Sequence, residues 1–552
     1  MKIKYYFLSA LAACVLVSCG DKMDYKEFKI DDAEYMKKKF ERAGGLITSM
    51  YSRLDSDFGN YSNAMLSSAT DESVFSTAGN AVESFYNGAW GPTNANSSIW
   101  TSCYQGINYC NLFLNEFNNL TFDEYKMDLD YKAEIHQYNN FQFEARFLRA
   151  YFYFLLVRQY GDVPFFTSSL DAATTNTLPR TSAEDIFKFI DDECVAIKDT
   201  IIKDYTDLGK MALTVSENGR ANNLAVLALR ARAALYHASP LFNPDNNQEL
   251  WKKAAQANLD VINACKSRGM ALSTDYAGLF LEGSYKDSKA LKELIFGNRL
   301  YSLNINFETN NFPVGMSGAG AGGKGGNCPS YNLYEAYEAG DVRLAATIAK
   351  NGDAWPNVNT QELQTYRGGA NGLPTANATP TGFYLKKYVN GGTQISGSNV
   401  STRNDRTWVI FRLAEFYLNY AEAYLNLSDK SGFTMTAANA INTVRNRAGL
   451  GNLSDGEATL DACKKERFVE FAFEGQRFFD VRRWKEGSKY FQNIYGLEIT
   501  KNADGSFTET KKLVGAGLLP NARDWQEKMN LFPIPQSEIM KSGGILTQNP
   551  GW

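Results

Sequence analysis

The run Phe141-Gln-Phe-Glu-Ala-Arg-Phe-Leu-Arg-Ala-Tyr-Phe-Tyr-Phe-Leu-Leu-Val-Arg-Gln-Tyr160, closed by Gly161-Asp-Val-Pro164, decides the fold class. Phe143, Phe147, Ala150, Tyr151, Phe154 and Val157 recur at intervals of three and four, which predicts a helix with a wide apolar face. Gly161 stops that helix and Pro164 keeps it stopped. Downstream, Ser182 with Asp185 three residues later marks the start of a second helix through Ile186, Phe189 and Ile190.

Two antiparallel helix pairs follow from the same reading. The first joins Ala221–Ala238 to Glu249–Cys265 through a loop with Pro240 and Pro244. The second joins Arg406–Leu427 to Thr436–Ala448. Both place small residues where helices must approach: Ala228, Ala231, Ala234, Ala254 and Ala257 in one, and Ala414, Ala421, Ala423, Ala438 and Ala440 in the other. This is the pattern of degenerate tetratricopeptide-like hairpins. The predicted fold is therefore mostly α, a helical scaffold mainly over 100–266 and 405–485. Two stretches, about 56–98 and 267–403, are rich in Gly, Asn, Thr and aromatic residues with little helical period. They read as irregular insertions with short strands, and long insertions on a helical scaffold usually carry the function.

At the N-terminus, Lys2 and Lys4 precede an apolar run from Tyr5 to Val17 that is too short to span a bilayer, and Leu16-Val-Ser-Cys19 follows. Residues 1–18 are expected to be a lipoprotein signal peptide, Cys19 the lipidated first residue, and 19–35 a tether to one body over 36–552. Asp21 and Asp24 resemble the signals that send Bacteroidetes lipoproteins to the outer surface. The net charge of −4 becomes −6 once Lys2 and Lys4 leave. Basic residues alternate with acids, as in Lys464-Lys-Glu-Arg467, so no stripe for nucleic acid exists.

Six cysteines remain after Cys14 and Cys19, none in a Cys-x-x-Cys pair. Cys103 and Cys110 on a helix would lie about 10 Å apart along its axis, too far to bridge. His136 and His237 have no zinc-ligand spacing, so a histidine-based metal site or triad is not expected; no cofactor is required, and a structural cation is left open. Gly318-Ala-Gly-Ala-Gly-Gly-Lys324-Gly325 imitates a phosphate loop but has Gly325 where magnesium needs a hydroxyl, and reads as a mobile loop. Asp71-Glu72 lacks the separation of a glycosidase pair and is expected to be solvated or to cap a loop. Glu415 and Glu422 are expected to pair with neighbours such as Arg412.

Aromatic residues make up 13% of the chain. Sugar rings pack C–H faces on aromatic faces and need polar partners at the edge. Trp90 and Trp355 lie in the irregular stretches, followed by Asn94 and Asn96, and by Asn357 and Asn359, whereas Trp100 and Trp408 begin helical segments and read as core. By loop position and chemistry the glycan-binding candidates are Asp71, Trp90, Asn94, Trp355 and Arg367; no catalytic residue is expected.

Arg146 to Pro164 resembles the RagB/SusD family of outer-membrane nutrient-binding lipoproteins. So do Pro179-Arg-Thr-Ser-Ala-Glu-Asp-Ile186, Gly219-Arg-Ala221, Ala238-Ser-Pro240, Tyr420-Ala-Glu-Ala423, Val444-Arg-Asn-Arg-Ala-Gly449, Glu466 to Trp484, Pro533-Ile-Pro-Gln-Ser-Glu-Ile539 and Gln548 to Trp552, in the expected order. The resemblance covers nearly the whole chain. It implies four tetratricopeptide-like hairpins on a more irregular half that holds a glycan site. It also implies a SusC-like TonB-dependent transporter as partner. In the Glu466–Trp484 block, Arg477, Phe478, Asp480, Arg482, Arg483 and Trp484 are expected to form a structural knot. The competing readings are a surface glycoside hydrolase and a protein-binding or peptide-binding helical-repeat adaptor.

Overall fold

The computed structural model describes residues 33–205, 219–281, 288–316, 322–355, 362–395, 401–490, 493–514 and 523–552. Cys19, the signal peptide, most of the tether, Gly318 to Ala321, Asn357 and Asn359 lie outside the described residues.

Eight helices pack each on the next in chain order: α1 (Phe40–Tyr51), α2 (Ser98–Glu116), α3 (Tyr131–Tyr160), α4 (Ala183–Ile197), α5 (Asn223–Ala238), α6 (Gln248–Ser267), α7 (Leu413–Asn426) and α8 (Ala437–Arg447). Two more, α9 (Leu460–Glu470) and α10 (Arg477–Arg483), close the scaffold. Among the described residues no helix is long and apolar enough to cross a membrane.

The deciding segment is a helix, but it starts at Tyr131, ten residues before the apolar stripe. From Phe147 to Val157 every side chain is buried, and a helix apolar all round belongs inside a layer of others. Its arginines and glutamate leave that core through partners. Arg146 and Arg149 reach Glu193 on α4 at 2.7 and 3.2 Å. Glu144 accepts from both Arg220 and Tyr51. Gly106 of α2 is where α3 comes closest: a Cβ there would stand 2.4 Å from the ring of buried Phe152. Gly106→Ala should therefore cost about 1–3 kcal/mol despite alanine's better helix propensity, read as a lower denaturant midpoint at unchanged slope.

The caps and crossings follow local chemistry. The Ser182 hydroxyl accepts from the Asp185 amide, and Thr436 and Asn439 form a reciprocal capping box. Ala228, Ala231, Ala254 and Ala257 are buried between α5 and α6, where the Asn258 amide donates to the Ala231 carbonyl.

One expected helix is partly a strand. Arg406–Leu427 divides into a strand, Arg403–Arg412, and then α7. Thr407-Trp-Val-Ile-Phe411 is β-branched and aromatic, and it pairs antiparallel with Leu294–Asn304, a strand inside the stretch read as irregular. Trp408 is core, but on this strand rather than on a helix. We number the strands β1 (Ser73–Phe75), β2 (Leu294–Asn304), β3 (Asn327–Pro329), β4 (Arg403–Arg412), β5 (Tyr495–Lys501) and β6 (Phe507–Leu513). β1 pairs with β3, and β5 with β6 as a hairpin.

β4 runs directly into α7 and so delivers Arg412 to a buried cluster of charges. Arg412 donates to Glu293 at 2.8 Å, to Glu470 at 2.6 Å and to Glu474 at 2.7 Å. Arg343 bridges Asp341, Glu466 and Glu470 at 2.6–2.7 Å, and Lys387 holds Glu474 at 2.7 Å. Arg447, Arg412 and Arg343 together hold the Glu470 carboxyl well below the usual range against the opposing effect of burial. A second knot joins Arg483 to Glu422 and Asp480, and Arg467 to Asp480. Arg482 differs: it donates to the backbone carbonyls of Met529 and Phe478. Glu415 pairs with Arg232, and Glu422 with Arg483 and the Trp484 indole, so neither pairs with Arg412 as expected. The six described cysteines are buried free thiols.

Candidate functional site

Three of the five sequence candidates are internal. Asp71 is 7% exposed and grips Arg477 through two hydrogen bonds of 2.9 and 2.6 Å. Glu72 beside it is buried too, accepting from the Phe473 amide, and burial pushes its carboxyl up to about 8. The expectation of a solvated or loop-capping acid pair is thus corrected: packing of α10 against the Leu66–Ala69 turn covers both acids. Trp90 is 4% exposed, edge-on to Phe85, Phe532 and Trp552, and serves as core under its loop rather than as a surface platform. Trp355 is 2% exposed against Phe312. Among the described residues its indole N–H has no hydrogen-bond partner. Its ring lines a cavity of about 240 Å³ with Lys386, Lys387 and Asn390, and burial lowers the Lys387 ammonium to about 8.

Asn94 and Arg367 face solvent. The Asn94 side chain donates to the Ala89 carbonyl and so ties its own turn. No hydrogen bond, ion pair or ring contact joins any two of the five candidates.

Arg367 belongs to a site that sequence reasoning missed. The loop 362–385 lies along β5: the Arg367 amide donates to the Ile499 carbonyl and the Leu497 amide to the Thr381 carbonyl, each at 2.8 Å. The approach needs glycine at 382, where φ is +81° and a Cβ would stand 2.5 Å from the Leu497 carbonyl oxygen. Between loop and hairpin lies a cleft of about 260 Å³ lined by Thr365, Arg367, Thr379, Pro380, Glu498 and Lys512, among others. Tyr366, the residue before Arg367, packs on Phe507 with ring centroids 5.4 Å apart and planes tilted 38°. Phe507 is 44% exposed, on a strand otherwise polar until Leu513. Lys501 pairs across the hairpin with Phe507 and sets its ammonium 5.5 Å from the Tyr366 centroid. The signal for this site was available as a lone aromatic in the polar run Phe507-Thr-Glu-Thr-Lys-Lys512.

A second cleft, about 430 Å³, lies on the helical side. Its floor is Trp100, Tyr104 and Phe166, the last two stacked 9° from parallel at 6.0 Å, with Gln105, Asn108 and Asn176 at the edge. Among the described residues each cleft is lined by one carboxylate: Glu498, held by Lys512, in the first and Glu538, held by Lys541 at 2.7 Å, in the second.

Comparison with known proteins agrees with this architecture. A family model described as the SusD family matches residues 285–552, and one described as starch-binding, associating with the outer membrane, matches residues 27–235. A SusD-like protein of Formosa agariphila is 25% identical over 480 residues, 83% of this chain and 80% of that one. Among solved structures, a SusD-like protein of Bacteroides fragilis superposes with a TM-score of 0.75 at 21% identity, over 95% of this chain and 99% of that one. A SusD-like carbohydrate-binding protein of the same species gives 0.69 at 23%, over 93% and 99%.

Proposed function

Because the chain belongs to the SusD/RagB family, we propose that it is a non-catalytic glycan-binding lipoprotein. Lipid on Cys19 holds it at the outer face of the outer membrane, where it passes oligosaccharide to a SusC-like TonB-dependent transporter. The observation that carries the binding reading is the pairing of exposed Phe507 with half-buried Tyr366 beside a cleft with charged edges. Aromatic faces offered by the hairpin and the loop along it suit the C–H faces of sugar rings, and the polar edge suits their substituents.

Incubation of the purified chain from Asp21 onward with glycans should release no new reducing ends. Affinity electrophoresis in the same glycans should retard it. Asn94 and Trp355 stay outside the proposed contact set, and Arg367 stays in it.

A further inference from the structure

Resting on the glycan-binding reading, we infer that the hairpin cleft selects oligosaccharides bearing an anionic group, a ring carboxylate or a sulfate ester, next to the face that packs on Tyr366 and Phe507. Arg367 is exposed and lines the cleft, and among the described residues its guanidinium meets no acceptor. Lys501, across the strand pair from Phe507, likewise meets no carboxylate among the described residues. Two cations without a carboxylate partner among the described residues therefore belong to this site, Lys501 over the Tyr366 ring and Arg367, next in the chain to Tyr366, on the cleft wall.

The nearby acids do not cancel them. Glu498 lines the cleft but is taken by Lys512. Glu509, opposite Ile499 on the outer strand, shares the face of Phe507 and Lys501, but among the described residues it forms no ion pair with Lys501, and it is not part of the cleft lining. A neutral sugar is usually read by amides at its edge, yet among the described residues no Asn or Gln lines this cleft, in contrast to the helical-side cleft with Gln105, Asn108 and Asn176. A planar guanidinium is the group that takes a carboxylate or sulfate through two parallel hydrogen bonds.

The test compares neutral, uronic-acid and sulfated oligosaccharides by affinity electrophoresis and titration calorimetry with the chain from Asp21 onward, against Arg367→Gln and Arg367→Lys. The expected result is binding in an anionic arm that weakens at least tenfold in Arg367→Gln, partly survives in Arg367→Lys, and falls with added salt. Which anionic arm binds tells carboxylate from sulfate. Binding of neutral glycans that ignores salt and Arg367→Gln overturns this inference and leaves the glycan reading standing; no binding in any arm overturns both. Arg367→Gln should melt as the wild type does, because the side chain has no partner to lose.

Discussion

Arg412→Met should destabilise the protein by about 3–5 kcal/mol, the cost of stranding buried carboxylates. Arg412 is 1% exposed and meets Glu293, Glu470 and Glu474 together. Removing it leaves those acids to Lys387, Arg343 and Arg447, which are already engaged. The pair itself need not be the source of stability, since ion pairs lose much of their attraction to desolvation; the loss comes from the unpaired charge left inside. Urea denaturation of the variant measures it, and a change below about 1 kcal/mol would show that the cluster is wet or redundant.

Glu72→Gln should act in the opposite direction and depend on pH. Burial raises the Glu72 carboxyl from 4.5 to about 8, with Asp71 adding to the shift and Arg477 opposing it. Below pH 4.5 the group is protonated in both folded and unfolded chains and contributes no slope. Between 4.5 and 8 the folded chain holds a proton that the unfolded chain releases, so wild-type stability falls as pH rises, by about 1.4 kcal/mol per pH unit at most. Above 8 the penalty is constant. Glutamine can keep the Phe473 amide bond and face Thr70 Oγ1, 3.2 and 3.4 Å away in the wild type, without a charge to bury. Its advantage should grow from near zero at pH 4.5 to as much as ~3 kcal/mol at neutral pH. Melting both proteins across that range checks the sign: a gain that shrank toward high pH would contradict it.

The helical scaffold was legible because its signals are local. Ser182, Thr436, Gly161 and the alanines of α5 to α8 act within a turn or across one helix contact, so the sequence carries them directly. β4 was not legible for the opposite reason: Arg403–Arg412 is a strand by virtue of a partner strand, Leu294–Asn304, distant in the sequence, and it abuts α7 without a break. The site fared worse still. Trp90 and Trp355 have the composition of a sugar platform, but Phe532, Trp552 and Phe312 arrive from distant segments to cover them. Asp71 similarly meets Arg477 from 406 residues away. Arg367 was found by chemistry alone, while its aromatic neighbour Phe507 comes from the hairpin 140 positions downstream, in a stretch the periodicity assigned no role.

The central claim is that this chain captures glycan on the Tyr366–Phe507 shelf. Its most direct measurement is titration calorimetry of the chain from Asp21 onward, wild type against the Tyr366→Ala/Phe507→Ala double variant, with an oligosaccharide that the wild type binds on a glycan array. Loss of one stacked aromatic contact is worth about 0.5–1.5 kcal/mol beyond its area, so two should weaken binding about tenfold or more. The melting temperature should barely move, because Phe507 is 44% exposed and Tyr366 only half-buried. Undiminished affinity in a correctly folded double variant would place the glycan elsewhere and contradict the account.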